Sequence, residues 1–248
     1  MDRLKCKLKI ALINFKLARA NICYIWVLRL EFMGNLDIVT VVIIAGNIIM
    51  SLKGFSDFSF FEKYKFNIGG IKRGEKIRMI SSGFLHVDQM HLFFNMFTLY
   101  FFADPVISYL GQVNFVIVYF GSLIVGNLLS FYFHKEEYHY SAVGASGAVT
   151  GVLYSAILLN PDMKLYMFFI PIAIPSYIFG IGYLMYSIYG MKKRIGNIGH
   201  DAHFGGAIGG YVITLILATW LFKEHFTMVI LLAVPIIILF VMRRTGHI

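Results

Sequence analysis

The sequence predicts an all-α polytopic membrane protein, and three observations predict it. Of its 248 residues 58% are apolar and only 14% are charged, where a soluble domain carries about a quarter charged residues. Mean hydropathy is +0.73. Several stretches reach the ~20 mainly apolar residues that a helix needs to cross a bilayer, and the short alternating segments of a transmembrane β-barrel are absent from the pattern.

Seven spans follow, at roughly Leu36–Leu52, Met90–Leu110, Val113–Phe133, Ser141–Asn160, Leu165–Met191, Asp201–Phe222 and Phe226–Met242. Pro171 and Pro175 are expected to kink or shorten the fifth, because proline removes a helix hydrogen bond and crowds the preceding turn. Connections are short except for Lys53–Gln89. Its aromatic and basic composition ("FSDFSFFEKYKF") suits the membrane interface better than an open loop. Before the spans, Leu4, Leu8, Leu12 and Phe15 recur at helical spacing among Lys5, Lys7, Lys9, Lys16 and Arg19, the pattern of an amphipathic helix lying on a membrane surface. The lysines interrupt any apolar core of a cleavable signal. The expected organisation is a basic segment over 1–35, a membrane domain over 36–222, and a further span with a short tail over 223–248.

The net charge of +9 is assigned to span-flanking residues that meet anionic headgroups, so the lipid bilayer is an expected partner and nucleic acid is not. Cys6 and Cys23 form no disulfide framework and no metal-ligand spacing; no metal and no cofactor are expected. Charge does not orient the chain. The first 35 residues carry seven Lys and Arg, and Lys53–Gln89 carries seven more.

Polar residues inside spans are costly and mark function. His91 and Asn95, in "MHLFFNMF", stand four apart near the start of the second span, on one helix face. Ser146 stands near the start of the fourth, in "VGASGAVTG", and His203 near the start of the sixth, in "DAHFGGAIGG". Spans two, four and six enter the membrane from the same side, so parity alone places these groups at a similar depth. Gly147 and Gly151 follow Ser146, and Gly206 and Gly210 follow His203, each pair four residues apart. That repeat lets helix backbones approach closely. If the two faces meet, Ser146 and His203 stand opposite each other. A serine needs a neighbouring base to become a nucleophile, and histidine is the usual one.

These residues resemble the rhomboid family of intramembrane serine proteases. "HLFFN" is similar to the family's H-x-x-x-N, "GASG" (Gly144 to Gly147) to its G-x-S-G, and "AHFGGAIGG" to its A-H-x-x-G-x-x-x-G. Their order and span placement also match, over about residues 36–222. The resemblance implies a six-helix bundle with an extra C-terminal transmembrane helix. It implies Ser146 as nucleophile, His203 as general base and then acid, and an oxyanion hole from His91, Asn95 and the Ser146 backbone N–H. It implies Gly144, Gly147, Gly151, Gly206 and Gly210 as packing positions. Asp201, two residues from His203, is not expected to serve as a third member. His86 resembles a structural histidine, and His200 is expected at the cavity mouth. Two positions depart from the family pattern. Ile77-Arg78 stands where Trp-Arg is usual, and Thr150 stands where an aromatic usually packs on the base.

The expected function is hydrolysis of peptide bonds in or near the helices of single-span membrane proteins. The expected location is a bacterial plasma membrane. The alternatives are a catalytically inactive, client-binding relative and, third, a small transporter.

Overall fold

The computed structural model describes residues 37–167, 170–193 and 199–247; the expected surface helix over the basic N-terminal segment lies outside the described residues. Helix α1 (Ile38–Ser56) leads into a connecting segment with α2 (Phe58–Tyr64), β1 (Phe66–Asn67), α3 (Ile68–Lys72), α4 (Arg78–Ser81) and a 3-10 turn over Ser82–Phe84. Helix α5 (Gln89–His134) is two arms joined at Gly111, whose φ of 79° and ψ of 165° are non-helical. Then come β2 (Ser141–Ala142), α6 (Ser146–Leu159), β3 (Lys164–Met167), β4 (Ile170–Pro175), α7 (Ser176–Lys193), α8 (His200–Leu217), α9 (Leu221–Glu224) and α10 (Phe226–Arg244). Helices α1, α5 and α10 are long and apolar enough to cross a membrane. The chain is thus an all-α polytopic membrane protein, with the two arms of α5 serving as its second and third spans.

Two spans differ from the sequence reading. The fifth was expected from Leu165, but residues 164–167 and 170–175 pair as the antiparallel strands β3 and β4 and the helix starts at Ser176. Pro175 explains the boundary. It disfavours the helical region for the residue before it and fits a helix best in its first turn, and the apolar run ahead of it satisfies its backbone by strand pairing. The fourth was expected from Ser141, yet Ser141 and Ala142 pair with Asn67 and Phe66, and helix begins only at Ser146. At ~1.5 Å per residue this 14-residue helix is about 21 Å long, short of the ~30 Å hydrocarbon core. Every residue from Gly147 to Leu159 is buried, so α6 is the central post of the bundle.

Helices α6, α8 and the second arm of α5 meet along a seam without side chains. A Cβ on Gly206 would overlap the Gly147 carbonyl, and one on Gly210 the Gly151 carbonyl. From α5, Gly126 faces the Ala202 carbonyl, where a Cβ would stand 2.7 Å from the oxygen. Hydrogen bonds tie the remaining helices to this seam. Thr214 donates to Ser155 Oγ (2.7 Å) between α8 and α6. The Tyr154 hydroxyl donates to the Gly180 carbonyl (2.5 Å) between α6 and α7. The Tyr211 hydroxyl donates to the Val229 carbonyl (2.8 Å), which holds α10 on α8.

The segment between α1 and α5 is built around buried polar groups. Arg78, 8% exposed, donates Nη1 to the carbonyls of Glu62 (2.8 Å) and Lys65 (2.9 Å) and Nε to Glu75 (2.6 Å). It therefore closes α2, β1 and α3 onto α4. Ile77 beside it is 59% exposed. The segment then grips the loop ahead of α6. The Gly144 N–H donates to the Ser82 carbonyl (3.0 Å), and Asn127 Nδ2 donates to Ser82 Oγ (3.2 Å) and to the Met79 carbonyl (2.8 Å). His86 completes the grip. Its Nε2 accepts from the Ala145 N–H (3.4 Å), so its proton sits on Nδ1 and is donated to Ser51 Oγ (2.9 Å), which donates onward to the Phe84 carbonyl (3.0 Å). Every donor in this chain has one acceptor, and the chain requires neutral imidazole. Burial, with a smaller share from the neighbouring His91, pushes His86 down to about 3 from 6.5.

The depressed value has a stability consequence. Between pH 6.5 and 3 the unfolded chain binds a proton at His86 that the folded chain rejects, so this contribution is complete above pH 6.5 and is lost as pH falls toward 3. Replacing His86 leaves the Ala145 N–H without its acceptor, a cost of ~1–3 kcal/mol for a buried group, and takes from Ser51 Oγ the proton it accepts. His86→Ala is expected to lower the detergent melting temperature at pH 7.5 and to weaken its decline between pH 6.5 and 4; an unchanged melting temperature and an unchanged pH slope would contradict the assignment.

Candidate active site

The candidate groups sit on the first two turns of three helices. Asp88 caps α5, accepting from the His91 N–H (2.7 Å), which fixes where the His91 ring leaves the helix. Asn95, one turn on and 7% exposed, uses one amide proton on the His91 carbonyl (2.9 Å). The His91 ring lies edge-on to His86 at 4.8 Å. Its Nδ1 is buried with no hydrogen-bond partner. A proton there would be stranded, whereas on Nε2 it faces the space beside Ser146.

That space exists because residue 144 is glycine. Its φ of 132° lies in a region that other residues rarely adopt. A Cβ there would stand 2.9 Å from His91 Nε2 and 3.5 Å from Ser146 Oγ. The imidazole edge and the serine hydroxyl therefore flank one narrow gap at Gly144, in which a Cβ would already crowd the imidazole. Ser146 is the first residue of α6, so the gap also adjoins the unpaired N–H groups and the positive dipole end of that helix.

His203 lies in the first turn of α8. A Cβ on Gly147 would meet the Ala202 carbonyl at 3.2 Å, so the residue after Ser146 and the residue before His203 are in backbone contact. Among the described residues no hydrogen bond joins Ser146 Oγ to His203. The His203 Nδ1 instead bonds the Tyr183 hydroxyl of α7 at 2.8 Å, with the two rings stacked at 6.0 Å and 21°. Thr150 donates to the Ser146 carbonyl (2.7 Å) and lies beside the Tyr183 hydroxyl.

The neighbouring titratable residues point elsewhere. Asp201, 4% exposed, faces His134 at 3.6 Å, and His134 stacks on Tyr140 with ring centroids 3.6 Å apart. This pair links the start of α8 to the end of α5, away from the His203 ring. His200 was expected at the cavity mouth. It is 4% exposed and wedged against Gly190, where an added Cβ would overlap its ring. The cause is the missing side chain at Gly190, which opens a slot between α7 and α8. Tyr183 was missed by the sequence reading. It lies 20 residues from His203 in a span rich in tyrosine, and no spacing within one helix reveals a pairing between two.

Residues 73–220 match the Rhomboid domain family model. Curated relatives include Rhomboid protein 1, mitochondrial, of Saccharomyces cerevisiae, 32% identical over 138 residues that cover 54% of this chain and 40% of that protein. RHOMBOID-like protein 12, mitochondrial, of Arabidopsis thaliana is 26% identical over 199 residues, 73% of this chain and 59% of that protein. Presenilin-associated rhomboid-like protein, mitochondrial, of Mus musculus is 30% identical over 138 residues, 53% of this chain and 36% of that protein. The chain thus spans about half or less of the length of most of these relatives. They correct one expectation: the names of all three are mitochondrial, which overturns a bacterial plasma membrane as the expected location. A family match across more than half of the chain, on a polytopic helical fold, places this chain in the rhomboid family, whose members are generally intramembrane serine proteases.

Proposed function

We propose that this chain is an intramembrane serine endopeptidase that cuts single-span membrane proteins, with Ser146 as nucleophile and His203 as general base. The observation that carries this reading is the backbone contact between Gly147 and Ala202, the immediate neighbours of the two residues. The Ser146 hydroxyl attacks the scissile carbonyl while His203 Nε2 takes its proton. The carbonyl oxygen becomes an oxyanion in the gap that Gly144 leaves open, where His91 Nε2–H, the Asn95 amide and the Ser146 backbone N–H supply donors. His203 returns its proton to the departing amine, leaving Ser146 acylated. A water deprotonated by His203 then releases the acid. Helical substrates hide their carbonyls in internal hydrogen bonds, so the preferred segment is one that unwinds easily at the N-terminus of α6. The mitochondrial relatives support a mitochondrial membrane as the place of action.

The missing hydrogen bond between Ser146 and His203 favours a second reading, an inactive client-binding relative. Catalytic hydrogen bonds are often long without substrate, so activity decides. In proteoliposomes with a panel of single-span reporters, the wild type is expected to cleave at least one reporter and to label with a fluorophosphonate on the peptide containing Ser146. Ser146→Ala and His203→Ala should abolish cleavage while remaining folded. A wild type that neither cleaves nor labels, yet retains a single-span reporter on co-purification, would favour the client-binding reading instead. His91→Ala should slow turnover by about 10²–10³-fold, as loss of one oxyanion donor does; full-rate cleavage by this variant would remove His91 from the oxyanion hole.

A further inference from the structure

Resting on that reading, we propose that Tyr183 is a positioning residue that holds His203 in the tautomer able to deprotonate Ser146. A neutral imidazole can act as a base at Nε2 only if its proton resides on Nδ1, and a buried Nδ1–H needs an acceptor. In the Ser-His-Asp arrangement a carboxylate fills that place. Here Asp201 is turned to His134, and the atom facing His203 Nδ1 is the Tyr183 phenolic oxygen at 2.8 Å.

A phenol can donate as well as accept, so the direction of this bond must be set by what takes the phenol's own proton. Thr150 sets it. Its hydroxyl proton is committed to the Ser146 carbonyl (2.7 Å), which leaves its oxygen to accept from the Tyr183 hydroxyl beside it. The proposed run is then directed throughout: His203 Nδ1–H to Tyr183 oxygen, Tyr183 O–H to the oxygen of the neighbouring Thr150, Thr150 O–H to the Ser146 carbonyl. It begins at the base and ends on the nucleophile's own backbone. The opposite direction would place the His203 proton on Nε2, leave Thr150 oxygen without its donor, and disable the base. The stacking of Tyr183 on His203, supported by Phe179 stacked on Tyr183 at 6.1 Å, fixes the imidazole plane. Tyr183 and Thr150 thus form one unit. Threonine is short enough to admit a tyrosine from α7 over the imidazole, and that tyrosine supplies both the stack and the acceptor.

The test combines a tautomer measurement with kinetics on the full chain. In histidine-labelled protein in detergent, with the His203 signal identified by its loss in His203→Ala, the nitrogen spectrum is expected to show a proton on Nδ1. Tyr183→Phe keeps the stack and removes the acceptor. It should shift this signal toward the Nε2–H form and lower kcat on a membrane-embedded reporter by roughly 10- to 100-fold, about the worth of one hydrogen bond to a charged group, with KM unchanged. Thr150→Val should act in the same direction. Because Thr150 works through Tyr183, the double variant should be no slower than Tyr183→Phe, whereas two separate packing roles would multiply. A wild-type His203 protonated on Nε2, a Tyr183→Phe variant within twofold of wild-type kcat, or multiplying losses in the double variant would each overturn the proposal. An Nδ1-protonated His203 in a wild type that cleaves nothing would support the tautomer assignment and overturn the proteolytic reading alone.

Discussion

The contact between the glycine faces of α6 and α8 is the constraint on which the rest of the molecule depends. Hydrophobic burial does not distinguish one helix neighbour from lipid inside a bilayer, so association rests on close packing and interhelical hydrogen bonds. Gly206 against the Gly147 carbonyl and Gly210 against the Gly151 carbonyl bring two backbones together at two successive turns. The second arm of α5 closes the same seam through Gly126 on the Ala202 carbonyl. With the seam in place, the first turns of α6 and α8 are neighbours, and the side chains at Ser146 and His203 are carried to one depth.

The polar architecture above the seam follows from the shortness of α6. A helix this short leaves part of the span to irregular backbone, which at membrane depth is tolerated only where its polar groups are satisfied by protein. That is the service of the connecting segment. Ser82 takes the Gly144 N–H, His86 takes the Ala145 N–H, and β1 pairs with β2 just upstream. Arg78 keeps the segment folded from within. The short α6 and the polar chain that receives the backbone ahead of it are two sides of one requirement.

Much of this was legible in the sequence. Apolar runs predicted the class and, except for the starts of the fourth and fifth spans, the span positions closely, because bilayer thickness dictates their length. The four-residue glycine repeats and the parity of spans two, four and six pointed to the Ser146–His203 region, since both are properties of single helices and their order. Three kinds of feature were hidden. The β3–β4 hairpin reads as continuous apolar span, and only Pro171 and Pro175 hinted at a break. The burial of His200 depends on a glycine ten residues away in another helix. Tyr183 meets His203 across two helices with no shared spacing, so its role appears only when α7 is docked. Thr150 was visible as a departure, but what fills the space it leaves was not.

The central claim is that the glycine seam, and not the catalytic groups alone, builds a reactive serine. Gly206→Leu tests it most directly, because it leaves Ser146, His203, His91 and Asn95 unchanged and inserts a branched side chain where even a Cβ overlaps Gly147. Overpacking of this kind costs ~1–3 kcal/mol, and ~1 Å of misplacement can cost ~10²-fold in rate. The measurement is the rate of fluorophosphonate labelling at Ser146 in this variant, inserted and monodisperse in detergent, beside Ile216→Leu at a position 69% exposed. The account predicts labelling at least about 10²-fold slower for Gly206→Leu and unchanged for Ile216→Leu. Labelling of Gly206→Leu at the wild-type rate would contradict it.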